Sequence, residues 1–385
     1  MLELKVTEEQ RLLRKTIRSF VMTELRPLAS KIDIDEKIPI HIIKKIGELG
    51  ILGLPFPVEY SGCGFGECGY CIAVEEISRA CLSTATFIGA HVSIASNSIY
   101  LFGNEEQKQK YLTVLATGEK IGAFALTEAQ AGSDSFNINT KAEFISSKNK
   151  WVVNGSKQWI SNAPIADIFV VFARTKTGIS AFIIERDTEG FIVGPPEKKM
   201  GIKGSQTSTL TFDNVQIPKE NLIGLDGRGF LIAMKALDAG RLGLGASCLG
   251  ACKELLKKCI TYSKERKQFN ESISKFQSIQ FMLAEMETAI YQIESIVYRT
   301  ASLYDSGKMT SRHSAIVKLA ASEALDKCAD YAMQIYGGAG YSKEYDIERY
   351  YRDSRINRIF EGTSEIQKIV IAHDILKKGE LNYDL

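Results

Sequence analysis

The chain has 385 residues, of which 45% are hydrophobic and 24% charged, and its formal net charge is +2. This length exceeds what one hydrophobic core usually serves, so two or three packed units are expected. The near-neutral balance gives no electrostatic reason to expect nucleic acid or an anionic membrane as a partner. The start of the chain does not resemble a signal peptide, and its apolar runs are too short to cross a bilayer. We therefore predict a soluble cytoplasmic protein whose eight cysteines are thiols.

Residues 1–120 are predicted to form a helical domain. Val6–Phe20 and Pro39–Leu49 carry apolar residues at helical spacing, and a further helix is expected to begin near Gly69. Asn104–Leu115 starts with an N-cap residue followed by acidic side chains, a pattern typical of a helix start.

In residues 121–225 the apolar period changes to two, which indicates strands. Residues 151–161 place β-forming side chains on both sides of Asn154-Gly155, a pair that predicts a hairpin turn. Residues 167–175, 178–186 and 208–218 are predicted as further strands, with Gly, Asn and Pro between them. We expect a small antiparallel β-domain.

Residues 226–385 are predicted to return to helix. Gly229–Arg266, Lys275–Ser306 and Ser311–Tyr336 are long apolar-periodic segments with few helix breakers, which favours a bundle of long helices. The resulting α+β order of helical domain, β-domain and helical bundle excludes most common enzyme folds.

Two motifs suggest cofactor sites that their surroundings do not support. Gly64–Gly69 matches the dinucleotide fingerprint G-x-G-x-x-G, but residues 77–104 contain none of the acidic residues needed to hold a ribose. We interpret this segment as a turn.

Cys63, Cys68 and Cys71 have the spacing of iron–sulfur ligands, but Cys81 follows too closely to be the fourth. With no zinc-like histidine spacing either, no metal is expected.

Four segments, in this order and spacing, resemble the acyl-CoA dehydrogenase family. They are AFALTEAQAGSD (123–134), WVVNGSKQWISN (151–162), YSKERKQFNESISKFQSIQFMLAEM (262–286) and QIYGGAGYSKEYDIERYYRDSRINRIFEGTSEIQ (334–367). The resemblance implies the same α-β-α architecture with a C-terminal four-helix bundle. It also implies FAD as cofactor, an acyl-CoA substrate, a homotetramer and an electron-transferring flavoprotein as electron acceptor. The reaction it implies is removal of the α-proton and the β-hydride of an acyl thioester.

The resemblance also implies which residues contact FAD. In the β-domain these are Phe124, Leu126, Thr127, Gly132, Ser133, Trp159 and Ser161. The FAD of a neighbouring subunit would be reached by Arg266 and Gln268, with Phe276 and Gln277 beside them, and its adenosine portion would pack on Gln334, Gly337 and Gly338. Thr363 and Glu365 complete the set. Ala129 replaces the family's proline, a change that removes no chemical group.

Glu361, in the segment IFEGTSE, resembles the catalytic base of the short- and medium-chain members. Its backbone N–H would be one donor to the thioester carbonyl, and the flavin ribityl chain the other. In the isovaleryl and long-chain branches the base precedes an arginine on an earlier helix. That position here is Gly240, which has no side chain to act as a base.

Further residues are implied at the substrate. Ser133 resembles a contact to the CoA portion, Asp238 and Arg241 resemble residues near the thioester, and Gly362 adjoins the base. A local alignment places Phe87, Ala90 and His91 on the helix lining the acyl cavity. The alternative for His91 is a helix histidine with a purely structural role.

Several functions remain open on the sequence alone. The same chemistry could act on an acyl group bound to a carrier protein, and no motif separates this substrate from acyl-CoA. A flavin monooxygenase or oxidase on this fold is less favoured, because such relatives commonly lack the glutamate found here at 361. A non-catalytic helical scaffold is disfavoured by the full set of cofactor-contact residues. Acyl length and the direction of the reaction stay undetermined.

Overall fold

The computed structural model describes residues 7–378, so Val6 of the first predicted helix lies outside the described residues. The N-terminal part is helical, and Thr7 and Gln10 form a capping box at the first helix. Asn104 is the N-cap of a helix and forms a second capping box with Gln107, as predicted. The helices are α1 (Glu8–Phe20), α2 (Ala29–Asp35), α3 (Ile40–Glu48), α4 (Gly66–Ser78), α5 (Leu82–Gly89), α6 (Asn97–Phe102), α7 (Glu105–Gln107) and α8 (Thr113–Ala116), with π-helical turns at Val21–Leu25, Ala90–Ser96 and Lys108–Leu112.

The middle part is an eight-stranded sheet. Its strands are β1 (Gly122–Ala125), β2 (Lys141–Ile145), β3 (Lys150–Ser161), β4 (Ile168–Arg174), β5 (Ile179–Glu185), β6 (Phe191–Val193), β7 (Thr207–Pro218) and β8 (Leu222–Ile223). The order is β6-β7-β3-β2-β4-β5-β8, and β1 pairs with β4. Most pairs are antiparallel, as expected, but β4 pairs in parallel with β1 and with β2.

The predicted hairpin at Asn154-Gly155 is wrong, because β3 runs straight through it. The turn instead joins β2 to β3 at residues 146–149, where Asn149 has φ 49°. The glycine serves a close approach: a Cβ at Gly155 would lie 2.7 Å from the Cα of Thr140, and the β3–β7 register shifts next to it. A glycine in a strand often marks such a bulge.

The C-terminal part is helical. It comprises α9 (Gly229–Glu265), α10 (Gln277–Asp305), α11 (Ser311–Tyr336), α12 (Gly338–Tyr341), α13 (Ile347–Ser354) and α14 (Ser364–Lys378), with short strands β9 (Lys267–Gln268) and β10 (Glu271–Ser272) between α9 and α10. The three predicted long helices are confirmed. We propose domain boundaries near residues 120 and 225. Within residues 7–378, no helix has the length and apolarity that a membrane crossing requires.

Glycines let α9 pack directly against its neighbours. A Cβ at Gly250 would lie 2.0 Å from the Glu75 carbonyl of α4, and one at Gly245 would lie 2.3 Å from Val317 of α11. The backbone of α9 therefore contacts the α4 backbone at Gly250 and an α11 side chain at Gly245, and α9 is buried between the N-terminal helices and the rest of the bundle.

The glycine motif has a structural role. Gly64–Gly69 leads into α4 without a preceding strand, and the Asp305 carboxylate accepts the N–H groups of Glu67 and Cys68 at 2.6 and 3.1 Å. The helix start is thus already occupied by an anion. Among residues 7–378 no cluster of His, Cys, Asp and Glu could hold a metal ion.

Candidate active site

The turn between α13 and α14 holds the predicted base in an uncommon backbone conformation. Glu361 has φ 54° and Gly362 has φ 92°. A non-glycine residue in the left-handed region costs about 1–2 kcal/mol, so its surroundings must hold it there.

Three side chains from different helices bind the carbonyls of this turn. Arg241 of α9 donates through Nε to the Glu361 carbonyl at 3.1 Å. Lys318 of α11 donates through Nζ to the Gly362 carbonyl at 2.8 Å. Gln367 of α14 donates through Nε2 to the same Gly362 carbonyl at 2.9 Å and to that of Glu361 at 3.3 Å. The backbone of the turn is therefore fixed from three sides.

The Glu361 carboxylate itself keeps one oxygen without a partner. Its Oε2 is buried and accepts no hydrogen bond from any described residue. It lies over Gly240, where an added Cβ would be 2.6 Å from Oε2 and 2.8 Å from Cγ2 of Ile94. Burial raises the pKa of Glu361 to about 7, against the opposing attraction of Arg241 and Lys318. Positions 361 and 240, the two at which the resemblance implies a base, thus meet at one point.

Asp238 anchors the arginine of this turn. Its Oδ1 accepts from Arg241 at 3.2 Å and from the Ser314 hydroxyl of α11 at 3.0 Å, and its Oδ2 accepts from the Ser311 hydroxyl at 2.5 Å. Both Asp238 and Arg241 are buried. All of these contacts support the Glu361 turn from behind.

The predicted flavin contacts of the β-domain lie together at the end of β1. The Thr127 carbonyl accepts from the Gln158 N–H at 2.9 Å, which brings β3 alongside. The next residue, Trp159, has φ 61°, and its side chain is 53% exposed. Around it, Phe124 and Leu126 are buried, Ser161 is half-buried, and Gly132 and Ser133 are exposed.

A buried ion pair holds the loop that follows β1. Lys157 Nζ lies 2.7 Å from Glu128 Oε1 and 3.0 Å from the Leu126 carbonyl. Glu128 also accepts the N–H groups of Asn139 and Thr140 at 2.6 and 3.0 Å. Burial opposes the charge of Glu128, but Lys157 and these hydrogen bonds outweigh it and lower the pKa of Glu128 to about 2. Burial lowers the pKa of Lys157 to about 8.

A second group of predicted flavin contacts lies at the C-terminal ends of α9 and α11. Tyr262 and Tyr336 stack there with ring centroids 4.0 Å apart, and the Tyr262 hydroxyl donates to the Tyr336 carbonyl at 3.3 Å. Phe269, in the turn between β9 and β10, is 89% exposed. Arg266, Gln268, Gln277, Gln334, Gly337 and Gly338 are exposed at this end, and Phe276 is half-buried.

Thr363 and Glu365 lie at the start of α14. The Thr363 hydroxyl accepts the Ile366 N–H at 3.3 Å, and Glu365 is an exposed residue of the first turn. Both follow the Glu361 turn directly.

Family models match three successive parts of the chain. The acyl-CoA dehydrogenase N-terminal domain matches residues 7–119, the middle domain residues 123–215 and the C-terminal domain residues 227–376. The chain belongs to the acyl-CoA dehydrogenase family. Members are FAD-dependent oxidoreductases, so the expected fold, enzyme class and cofactor are confirmed.

The similarity to individual acyl-CoA dehydrogenases covers almost the full chain. A Clostridium acetobutylicum protein named acyl-CoA dehydrogenase, short-chain specific, is 44% identical over 381 residues, which is 98% of this chain and 100% of that protein. The structure of butyryl-CoA dehydrogenase from Megasphaera elsdenii superposes with a TM-score of 0.95 at 39% identity, covering 97% of this chain and 100% of that chain.

Three further structures bear on cofactor and partners. A Bacillus anthracis acyl-CoA dehydrogenase complexed with FAD has a TM-score of 0.92 at 40% identity, over 97% of this chain and 68% of that one. A chain from a structure of the electron transferring flavoprotein of Acidaminococcus fermentans has a TM-score of 0.95 at 41% identity, over 98% and 100%. The prolyl acyl carrier protein oxidase AnaB is more distant, with a TM-score of 0.92 at 30% identity, over 96% and 99%.

His91 has a structural role in this acyl-CoA dehydrogenase, the second of the two alternatives considered for it. Its Nδ1 accepts the Gly122 N–H of β1 at 2.9 Å, so its Nε2 carries the proton and donates to the Leu115 carbonyl at 2.9 Å. Burial lowers its pKa to about 4, which keeps it neutral. Both ring nitrogens are therefore occupied in joining α8 to the sheet.

Sequence reasoning missed the residues that support the base. Lys318 is fully buried within the apolar run SAIVKLAA, and a charged residue in such a run was the available signal. Gln367 binds carbonyls only five and six residues before it, but no sequence pattern identified it. Lys157, which holds the loop after β1 and not the base, was also missed, because its partner Glu128 lies 29 residues away.

Proposed function

We propose that this chain oxidises a short-chain acyl-CoA to the trans-2-enoyl-CoA, with Glu361 removing the α-proton. The observation that carries this proposal is the buried, unpaired Oε2 of Glu361 on the bare helix surface at Gly240. A general base works best when its pKa lies near the working pH. Burial, which raises the pKa of Glu361 to about 7, provides that match.

The backbone of the turn offers a hydrogen-bond donor next to the base. The carbonyls of Glu361 and Gly362 are held by Arg241, Lys318 and Gln367, while the Glu361 N–H donates to no other described residue. A fixed, free N–H beside the base is suited to bind the thioester carbonyl as negative charge develops on its oxygen. The contacts of Asp238 and Arg241 favour a positioning role for them rather than direct contact with the ligand.

The β-domain residues fit FAD. Trp159 is an exposed aromatic side chain beside the end of β1, and a Cβ at Gly132 would meet nothing within 4 Å, so the loop backbone is open to a ligand. The Lys157–Glu128 pair fixes the start of that loop. Thr127, Ser133 and Ser161 would add polar contacts, with Ser133 also near the CoA portion. Bound FAD would accept the β-hydrogen as hydride, a step for which no side chain here is suited.

The exposed residues at the ends of α9 and α11 favour an oligomer in which they serve the FAD of a neighbouring subunit. Arg266 and Gln268 lie on a projecting turn, and Gly337 and Gly338 have no neighbour within 4 Å of an added Cβ. We propose a homotetramer, checked by gel filtration with light scattering. A monomer with full FAD occupancy would contradict the arrangement.

The names of the relatives described above support a short acyl-CoA substrate and an electron-transferring flavoprotein acceptor. Several of them are bacterial, which is consistent with the proposed cytoplasmic location. A carrier-protein substrate has less support, since the carrier-protein oxidase is only 30% identical.

The deciding experiment is anaerobic titration of the FAD-bound protein with acyl-CoAs of graded length, following the loss of the flavin absorbance. Bleaching by butyryl-CoA, and its loss in Glu361→Gln at equal FAD content, would support the proposal. Bleaching of both proteins at similar rates would place the base elsewhere.

A further inference from the structure

Two glycines one turn apart on α9 lie directly against side chains from other helices, close to the base. An added Cβ at Gly240 would lie 2.6 Å from Glu361 Oε2. An added Cβ at Gly243 would lie 2.8 Å from Cε1 of Tyr70 and 3.2 Å from its hydroxyl oxygen. Residues three apart on a helix share one face, with about 5–6 Å between their Cβ positions. The base and the tyrosine therefore contact neighbouring points of one helix face.

Burial and one hydrogen bond fix the position of Tyr70. It is fully buried, and Ser93 donates to its hydroxyl at 2.8 Å. The Ser93 oxygen also lies 3.2 Å from the added Cβ of Gly243, so both hydroxyl groups converge there. Ile94, the residue after Ser93, lies against Gly240. Its Cγ2 is 2.8 Å from the Cβ that would be added there. This face of α9 is thus covered by Glu361 and the apolar Ile94 at Gly240, and by Tyr70 and Ser93 at Gly243.

The helix that carries Tyr70 cannot move back from this face of α9. A Cβ at Gly250 would lie 2.0 Å from the Glu75 carbonyl and 2.2 Å from the Ser78 hydroxyl, both on α4. Backbone contact between α4 and α9 fixes the distance between them, and close-packed interiors resist such shifts.

We infer that Tyr70, held by Ser93, ends the acyl site and restricts the substrate to short acyl chains. This inference rests on the proposed function and adds its specificity-determining residues. An acyl chain with its α-carbon at the Glu361 carboxylate, running along α9, meets the tyrosine ring after about one helical turn, which leaves room for only a few further carbons. A longer chain would have to displace a fully buried ring.

The test compares kcat/KM for butyryl-, hexanoyl- and octanoyl-CoA in the FAD-bound enzyme. We expect wild type to favour butyryl-CoA over octanoyl-CoA by about 10² or more, since one methylene group in an apolar pocket changes the rate about 10- to 200-fold. Tyr70→Leu and Tyr70→Ala should raise the octanoyl-to-butyryl ratio at least about tenfold. Tyr70→Phe keeps the ring and should leave the ratio within about threefold of wild type.

Tyr350→Leu is the matched control for the loss of a buried tyrosine, because Tyr350 is as buried as Tyr70 but bonds the Arg79 carbonyl instead. It should change stability without changing the ratio. An unchanged ratio in a folded, FAD-bound Tyr70→Leu, or equal use of butyryl- and octanoyl-CoA by wild type, overturns the inference alone. If no acyl-CoA of any length reduces the flavin, the proposed function fails, and the inference fails with it.

Discussion

Two buried lysines, each close to a glutamate, hold different parts of this acyl-CoA dehydrogenase in different ways. In the β-domain, Lys157 contacts Glu128 directly at 2.7 Å. In the bundle, Lys318 donates to the Gly362 carbonyl at 2.8 Å, and Glu361 Oε2 stays unpaired. The pKa of Glu128 falls to about 2, because Lys157 and hydrogen bonds overcome burial, whereas burial raises the pKa of Glu361 to about 7.

The difference shows how one pair of residue types serves structure or chemistry. A direct contact keeps the carboxylate charged and makes it a fixed part of a loop. A lysine that binds a neighbouring carbonyl still attracts the carboxylate at a distance but leaves its oxygen free to take a proton. The geometry of the lysine, rather than its presence, therefore decides the role of the glutamate.

Removal of the free carboxylate should have the largest effect on rate. Glu361→Gln keeps the size of the side chain but removes the proton acceptor, and general-base loss typically costs ~10² to 10⁴ in rate. With only glycine at position 240, we expect the upper end of that range. Single-turnover flavin reduction by butyryl-CoA, at matched FAD content, measures it. A loss below tenfold would refute Glu361 as the base.

Replacement by glutamine should change the folding stability with opposite signs at Glu361 and at Glu128. The folded protein binds the Glu361 proton more tightly than the unfolded chain does, so folding stability falls as the pH rises from about 4.5 to about 7. Glu361→Gln removes that loss and should raise the Tm at pH 8. Glu128→Gln should lower it, because breaking a buried ion pair costs about 3–5 kcal/mol.

Thermal unfolding of the two variants at pH 8, with and without added FAD, tests this contrast. Glu128→Gln should also bind FAD more weakly, since its carboxylate holds the loop at Asn139 and Thr140. A Tm change of the same sign in both variants would contradict the contrast between Glu361 and Glu128.

Gly240→Ala should disturb the free carboxylate without removing it. The new methyl group would lie 2.6 Å from Glu361 Oε2, so the carboxylate must move. A misplacement near 1 Å can cost ~10² in rate. Single-turnover reduction should fall while FAD content stays constant.

Variants at Lys318 should give the smallest change and separate its charge from its hydrogen bond. Its ammonium favours the charged form of Glu361, so its removal should raise the pKa of the base and shift the acid limb of kcat/KM above about 7. Lys318→Gln retains a donor without the charge, and Lys318→Met retains neither.

Both Lys318 variants should lose several-fold in kcat/KM at pH 7. The charge effect should fade above pH 8, because burial lowers the pKa of Lys318 itself to about 8. A normal acid limb in Lys318→Gln, with loss only in Lys318→Met, would show that the hydrogen bond alone matters.

Much of the fold could be predicted from apolar spacing, since the long helices and most strands repeat it over many residues. The hairpin at Asn154-Gly155 failed because the same glycine serves a turn or a close strand contact, and only Thr140 across the sheet decides between them. Glu361 was proposed as the base from its local motif. Lys318 and Tyr70 were missed, because their partners lie far from them in the sequence. Gln367 was missed although the carbonyls it binds lie only five and six residues before it.

The glycines of α9 have a consequence for how the molecule folds. Each glycine inside a helix costs about 1 kcal/mol relative to alanine, and α9 contains Gly240, Gly243, Gly245 and Gly250. The helix is therefore weak on its own and gains stability only once α4 and α11 pack against it. We expect residues 240–250 to gain protection in pulsed hydrogen exchange together with α4, and earlier protection of α9 would contradict this order. The base turn, which depends on Arg241, would then be completed among the last steps of folding.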